Sequence, residues 1–120
     1  MDLGLTDHTV LITGGASGIG LATAKLFAEE GCKLLLWDIS PALEDVASEL
    51  RQLGIDVQTQ RVDIASFEET QAAVASWQQR GERFDHVVHC AAIGSGKFGF
   101  PFTHLSPEDW RQSLEVNILG

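Results

Sequence analysis

Along this chain the spacing of apolar residues switches between two periods. His8–Thr13 (HTVLIT) is a short β-branched run, the pattern of a strand buried on both faces. From about Gly18 to Glu30 the apolar positions recur at helical spacing, and Gly31 supplies a left-handed stop. Lys33–Trp37 (KLLLW) is a second apolar run that ends at Asp38. Ser40-Pro41 then offers an N-cap followed by a first-turn proline, and Leu43, Val46, Ala47 and Leu50 follow on one helical face up to Gly54. Asp56–Val62 reads as a third strand. Ser66 and Glu69 have the spacing of a capping box, which predicts a helix with Phe67, Thr70, Val74 and Trp77 on its inner face and Gly81 at its end. Phe84–Ala92 (FDHVVHCAA) is the fourth strand and the most continuously apolar. A glycine-rich loop, Gly94–Pro101, leads to Ser106-Pro107-Glu108-Asp109, where the same cap-plus-proline device starts a last helix. That helix is expected to turn Trp110, Leu114 and Ile118 inward.

Strands alternating with helices predict an α/β fold, a parallel sheet with helices on both faces. Right-handed crossovers give the strand order 3-2-1-4. At 120 residues the chain suits one domain and is too short for two.

Composition narrows the classes of function. With 44% hydrophobic and 21% charged residues the chain can build a core, which argues against disorder. A formal net charge of −9 repels phosphate backbones and anionic membranes, so neither nucleic acid nor a membrane is an expected partner. The first eight residues carry two acids and no apolar stretch, unlike a secretory signal, and no apolar run approaches the ~20 residues of a membrane span. The two cysteines, Cys32 and Cys90, each flank an apolar run and read as small buried hydrophobes. A reducing, cytoplasmic setting fits these features.

The most informative stretch is Thr13-Gly14-Gly15-Ala16-Ser17-Gly18-Ile19-Gly20. Glycine patterns mark many tight turns, but this one lies between a predicted strand and a predicted helix. Gly14 permits the turn, Gly18 lets the backbone approach a diphosphate, and Gly20 lets the helix pack closely. The free amides and positive end of the helix, from Ser17 through Ile19, then face the phosphates. Asp38 ends the second strand, where a carboxylate can accept bonds from both adenosine-ribose hydroxyls and repel a 2′-phosphate. Its sequence neighbours, Trp37 and Ile39, bring no cation, so NAD is expected over NADP. An aspartate that merely shapes the helix entry beside Ser40 is the competing reading.

Thr13–Gly20 resembles the T-G-x-x-x-G-x-G signature of the short-chain dehydrogenase/reductase family, whose domain is a Rossmann-type sheet. The resemblance runs in order along the whole chain. Asp38 falls at the family's NAD-selecting acid, Asp63-Ile64 at its adenine-contacting pair, and Glu115-Val116-Asn117 at its asparagine-bearing helix segment. It implies that Cys90 and Ala91, near the end of the fourth strand, border the cofactor. It also implies that Asn117 belongs to a catalytic tetrad, holding a kinked helix and, through a water, one end of a proton relay. A helical asparagine that only satisfies backbone groups is the plainer alternative. The other tetrad members, a Ser and a Tyr-x-x-x-Lys, are expected beyond residue 120, because the chain has no tyrosine. On this reading residues 1–120 are the first part of one nucleotide-binding domain and are inactive alone, general acid–base help of about 10²–10⁴-fold being absent.

The resemblance implies an NAD-dependent oxidoreductase that moves a hydride between nicotinamide and a secondary alcohol or ketone, working as a homo-oligomer when intact. Two other readings stand beside it. One is a non-catalytic nucleotide-binding fragment with an unpaired apolar edge, Asp85–Ala92. The other is an extended-type sugar-nucleotide epimerase or dehydratase. It rests on His89-Cys90-Ala91-Ala92, which replaces the commoner branch's Asn-Asn-Ala-Gly with a His-x-Ala-Ala pattern.

Several further features carry less. His8, His86 and His104 have no sequence neighbours at metal spacing, so no metal is expected and each reads as a surface or strand histidine. His89 sits at a strand's carboxyl edge, where its backbone is a better candidate for cofactor contact than its ring. The pairs Glu29-Glu30, Glu68-Glu69 and Glu108-Asp109 read as solvated helix faces. Gly94-Ser95-Gly96-Lys97 lacks the upstream glycine and following hydroxyl of a phosphate loop and reads as a mobile substrate-side loop.

Overall fold

A computed structural model describes residues 1–120. It contains a four-stranded parallel sheet in the order β3-β2-β1-β4, formed by β1 (Thr9–Thr13), β2 (Lys33–Asp38), β3 (Val57–Arg61) and β4 (His86–His89). Helices α1 (Gly18–Glu29), α2 (Leu43–Gln52) and α3 (Phe67–Gln79) connect the strands, and α4 (Pro107–Leu114) follows β4. This is the Rossmann-type arrangement expected from the alternation of periods.

The alternation of side chains across β1 and β2 divides the core into two layers. Val10, Ile12, Leu34 and Leu36 face α1 and α2, where Ala24, Ala47 and Leu50 meet them. Leu11, Leu35 and Trp37 face the other way, onto Ala73 and Trp77 of α3. Both central strands are therefore buried on both sides, which is why their sequences read as unbroken apolar runs.

Local signals misplaced several details. Helix α2 begins at Leu43 rather than at Pro41, because Ser40-Pro41-Ala42 forms a turn in which Ser40 Oγ accepts from Ala42 N (3.2 Å) and Ser40 O from Leu43 N (3.2 Å). At α3 the Ser66 hydroxyl caps Glu69 N as expected, but the Glu69 carboxylate reaches past Ser66 to accept from Asp63 N at 2.8 Å. Phe67, expected on the inner face, is 75% exposed, and Ala73 with Trp77 does the burying. Strand β4 keeps only four residues of the predicted run, and as the sheet's edge it leaves Val87 61% exposed. Trp110 and Leu114 of α4, and Ile118 in the turn that follows it, are also exposed. No helix is long and apolar enough to cross a membrane.

Candidate nucleotide site

The carboxyl ends of β1, β2 and β4 open onto a cleft of about 450 Å³. Its wall is the turn between β1 and α1. Gly14 N and Gly15 N both donate to the Trp37 carbonyl, at 2.8 and 3.2 Å, so the turn starts pinned to the end of β2. Gly14 has φ +69°, and a side chain there would meet Ala91 N at 2.8 Å. The turn is thus wedged against the segment after β4 and accepts no Cβ. Gly18, with φ +54°, has nothing within 4 Å of where a Cβ would stand. The two glycines answer to opposite demands, close protein contact at 14 and open approach at 18.

Helix α1 leaves that opening with unused donors. Its first backbone bond runs from Leu21 N to Ser17 O at 3.1 Å, so the amides of Gly18, Ile19 and Gly20 precede the helical ladder. Ser17 is the N-cap residue in extended conformation, and its side chain makes no cap bond. No acid lies in the first turn of α1 itself. Gly20 lies against the turn itself, where a Cβ would run into the Gly14 carbonyl oxygen.

Asp38 stands beside this helix end, at the carboxyl end of β2. One carboxylate oxygen, Oδ2, accepts from Ala16 N at 3.0 Å, and the other, Oδ1, accepts from Ser40 N at 2.9 Å. The acid therefore bridges the glycine turn and the entry to α2. Each oxygen keeps a lone pair free, so shaping the helix entry does not use up its accepting capacity. In the third dimension Asp38 has a neighbour that its sequence context lacks: Arg61 of β3 is its register partner.

At the floor, Asp63 Oδ1 accepts from Ala65 N at 3.0 Å, and Ile64 lies beside it on the cleft wall. After β4, Cys90 N donates to Thr13 O at 3.1 Å, and Cys90 and Ala91 line the cleft. Gly14, Ser17, Gly18, Ile19, Gly20, Asp38, Asp63, Ile64, Cys90 and Ala91, drawn from four segments of the sequence, line this one cleft.

Asn117 does not line it, although its neighbours Glu115 and Val116 do. Helix α4 passes at Glu115–Leu119 into a π-turn that carries Asn117. There Asn117 Nδ2 donates to Ile93 O at 2.8 Å and Asn117 Oδ1 accepts from Ile93 N at 2.9 Å. A two-point amide bond ties the widened helix to the loop after β4. Sequence reasoning missed Trp37, Val62 and Gln112, which also line the cleft. Trp37 could have been found, since it directly precedes Asp38. Gln112 carries no such signal, because only the return of α4 brings it near.

The histidines need one correction. His8 and His86, 78 positions apart, are not isolated: His8 Nδ1 and His86 Nε2 share a hydrogen bond of 2.9 Å at the amino-terminal ends of β1 and β4. Asp85 lies beside them with its carboxyl held below the usual range, chiefly by Thr9 N, which donates to it at 2.8 Å, and then by Arg83 and the two imidazoles. This cluster is at the opposite end of the sheet from the cleft. Cys32 is buried, donates to Leu5 O at 3.3 Å, and has its thiol pushed up by burial, then by Glu30 and Asp85.

Comparison with known proteins agrees with the geometry. The short chain dehydrogenase family matches residues 8–120. The oxidoreductase UcpA of Salmonella typhimurium is 38% identical over 97% of this chain and 43% of its own length. An NAD-dependent glycerol dehydrogenase of Listeria innocua is 31% identical over 99% of this chain and 45% of its own. Among solved structures, L-sorbose reductase of Gluconobacter frateurii, complexed with NADPH and L-sorbose, superposes with a TM-score of 0.85 at 30% identity, over 99% of this chain and 45% of that one. The chain thus spans less than half the length of these relatives and corresponds to their amino-terminal, cofactor-binding half. A wedged glycine turn, a free helix end and a family match over nearly every residue lead to one conclusion: the chain belongs to the short-chain dehydrogenase/reductase family of oxidoreductases.

Proposed function

We propose that this chain binds NAD in preference to NADP and forms the nucleotide-binding part of an enzyme that interconverts a secondary alcohol and its ketone. The observation that carries the preference is the position of Asp38, on the cleft and held by Ala16 N and Ser40 N. A fixed carboxylate offers two acceptors to a ribose diol and repels a phosphate in the same place. The amides of Gly18, Ile19 and Gly20 take the diphosphate, Asp63 and Ile64 border the adenine, and Cys90 and Ala91 flank the nicotinamide side with their backbone. When bound, NAD supplies the hydride acceptor. Asn117 holds the π-turn against Ile93 and so sets the wall on which the alcohol oxygen is handled.

The acid–base groups are proposed to come from outside these 120 residues, which contain no tyrosine, so the chain by itself binds nucleotide without turnover. The intact enzyme is proposed to act on a small alcohol or ketone as a homo-oligomer. Equilibrium titration with NAD and with NADP tests the preference. NAD is expected to bind at least about tenfold more tightly, and Asp38→Asn, which removes the charge, should shrink that ratio. Equal affinities for the wild-type chain would overturn the assignment.

A further inference from the structure

The ring of His89 makes one contact that the nucleotide site leaves unexplained. Thr13, the last residue of β1, is buried, and its hydroxyl lies against the first residues beyond β4. Cys90 N donates to Thr13 Oγ1 at 3.1 Å and Ala91 N donates to it at 3.2 Å. His89 Nδ1 is 2.9 Å from the same oxygen.

A hydroxyl has two accepting lone pairs and one proton to give. Ala91 N–H takes one lone pair, and Cys90 N–H, shared with Thr13 O at 3.1 Å, is directed at the other; backbone N–H groups can only donate. The remaining contact must use the hydroxyl proton, so Thr13 Oγ1 donates and His89 Nδ1 accepts. The donor inventory thereby fixes the imidazole with its own proton on Nε2, a choice the sequence could not show. Were Nδ1 protonated, three donors would converge on one oxygen while the buried hydroxyl proton lost its acceptor.

We infer that His89 is a positioning residue: as the Nε2–H tautomer it orients the Thr13 hydroxyl, and through it the Cys90 and Ala91 amides that seat the glycine turn. The link to the cleft is short. Ala91 is the residue against which Gly14 is wedged, with 2.8 Å between Ala91 N and a notional Gly14 Cβ. A change in the direction of the Ala91 amide moves the surface on which that turn rests. The ring lies behind the wall, and its effect on nucleotide passes through Thr13 and Ala91. In its consequence for affinity this inference rests on the NAD reading above; in its hydrogen-bond assignment it does not.

The test has two arms. In the first, long-range ¹H–¹⁵N correlation spectra of the labelled chain without nucleotide, at about pH 8 where histidines are usually uncharged, read the tautomer directly. Nδ1 of His89 is expected to be unprotonated and Nε2 protonated; a protonated Nδ1 overturns the inference. In the second arm, His89→Asn and His89→Gln are compared by NAD titration. The asparagine carbonyl oxygen can stand where Nδ1 stands, whereas glutamine carries its amide one carbon too far. Affinity is expected to stay within about twofold for His89→Asn and to fall about tenfold for His89→Gln, the loss of one buried hydrogen bond. Equal affinity of the two variants overturns the inference. If the wild-type chain binds no NAD, the functional reading fails instead. The hydrogen-bond assignment is then decided by the Cys90 and Ala91 amide resonances, which should shift in His89→Gln and hold in His89→Asn.

Discussion

A methyl group added at Gly20 would collide with the Gly14 carbonyl oxygen, a backbone atom that cannot move without releasing the turn from Trp37 and Ala91. Gly20→Ala is therefore expected to cost about 1–3 kcal/mol of stability, despite the better helix propensity of alanine, because it overpacks a rigid contact. Thermal denaturation checks this; an unchanged or raised melting temperature would show that the turn can yield. Gly18 is a different case. Nothing of the protein lies near it, so Gly18→Ala meets only the strain of its positive φ and should weaken nucleotide binding more than it weakens the fold. Two glycines of one turn thus separate by which measurement they move.

Among the elements, α3 is fastened chiefly by Trp77, which is buried against Leu11, Leu35 and Trp37 and stacks on Phe84 with ring centroids 5.7 Å apart. Trp77→Ala should cost about 3–5 kcal/mol, read from denaturant unfolding. A loss under about 1 kcal/mol, close to that of a surface change, would mean that α3 contributes little to the core. Helix α4 depends on polar contacts instead. Asp109 accepts from Ser106 N and Ser106 Oγ and pairs with Lys97 at 2.8 Å. Lys97, followed by the Ser106 donors, lowers its carboxyl pKa to about 2. Because the folded value lies below the unfolded one of about 3.9, this contribution is fully present above about pH 4 and is lost as pH falls toward about 2. Amide exchange at the start of α4 should accelerate across that window, and Asp109→Asn should abolish the pH dependence there.

At the scale of the whole molecule, β4 is the least protected part. It is an edge strand with Val87 exposed, and the apolar residues Trp110, Leu114 and Ile118, later in the chain, are exposed too. Self-association that grows with concentration is expected for these 120 residues, and sedimentation velocity would detect it; a monodisperse monomer at high concentration would contradict it. The same edge marks where sequence reasoning lost its hold. The strand order and the two-sided burial of β1 and β2 were legible because apolar runs and crossover handedness determine them locally. The lining of the cleft was legible for a related reason: parallel strands bring their carboxyl ends together whatever the loops do. Phe67 and Trp110 were misjudged because helical spacing says which residues share a face and leaves open whether anything packs on it. The His8–His86 bond could not be foreseen, since only strand register brings positions 78 apart into contact.

The double clamp on Asp38 has a bearing on how quickly a nucleotide could be recognised. Ala16 and Ser40 hold the carboxylate in place, so under the proposed function a ribose would meet a finished receptor and the side chain would have no rotamer search left to make. Ordering that elsewhere accompanies docking has here been completed when the chain folds. On that proposal the remaining work of capture would fall to the nucleotide, which would settle its own flexible diphosphate into a mould already set.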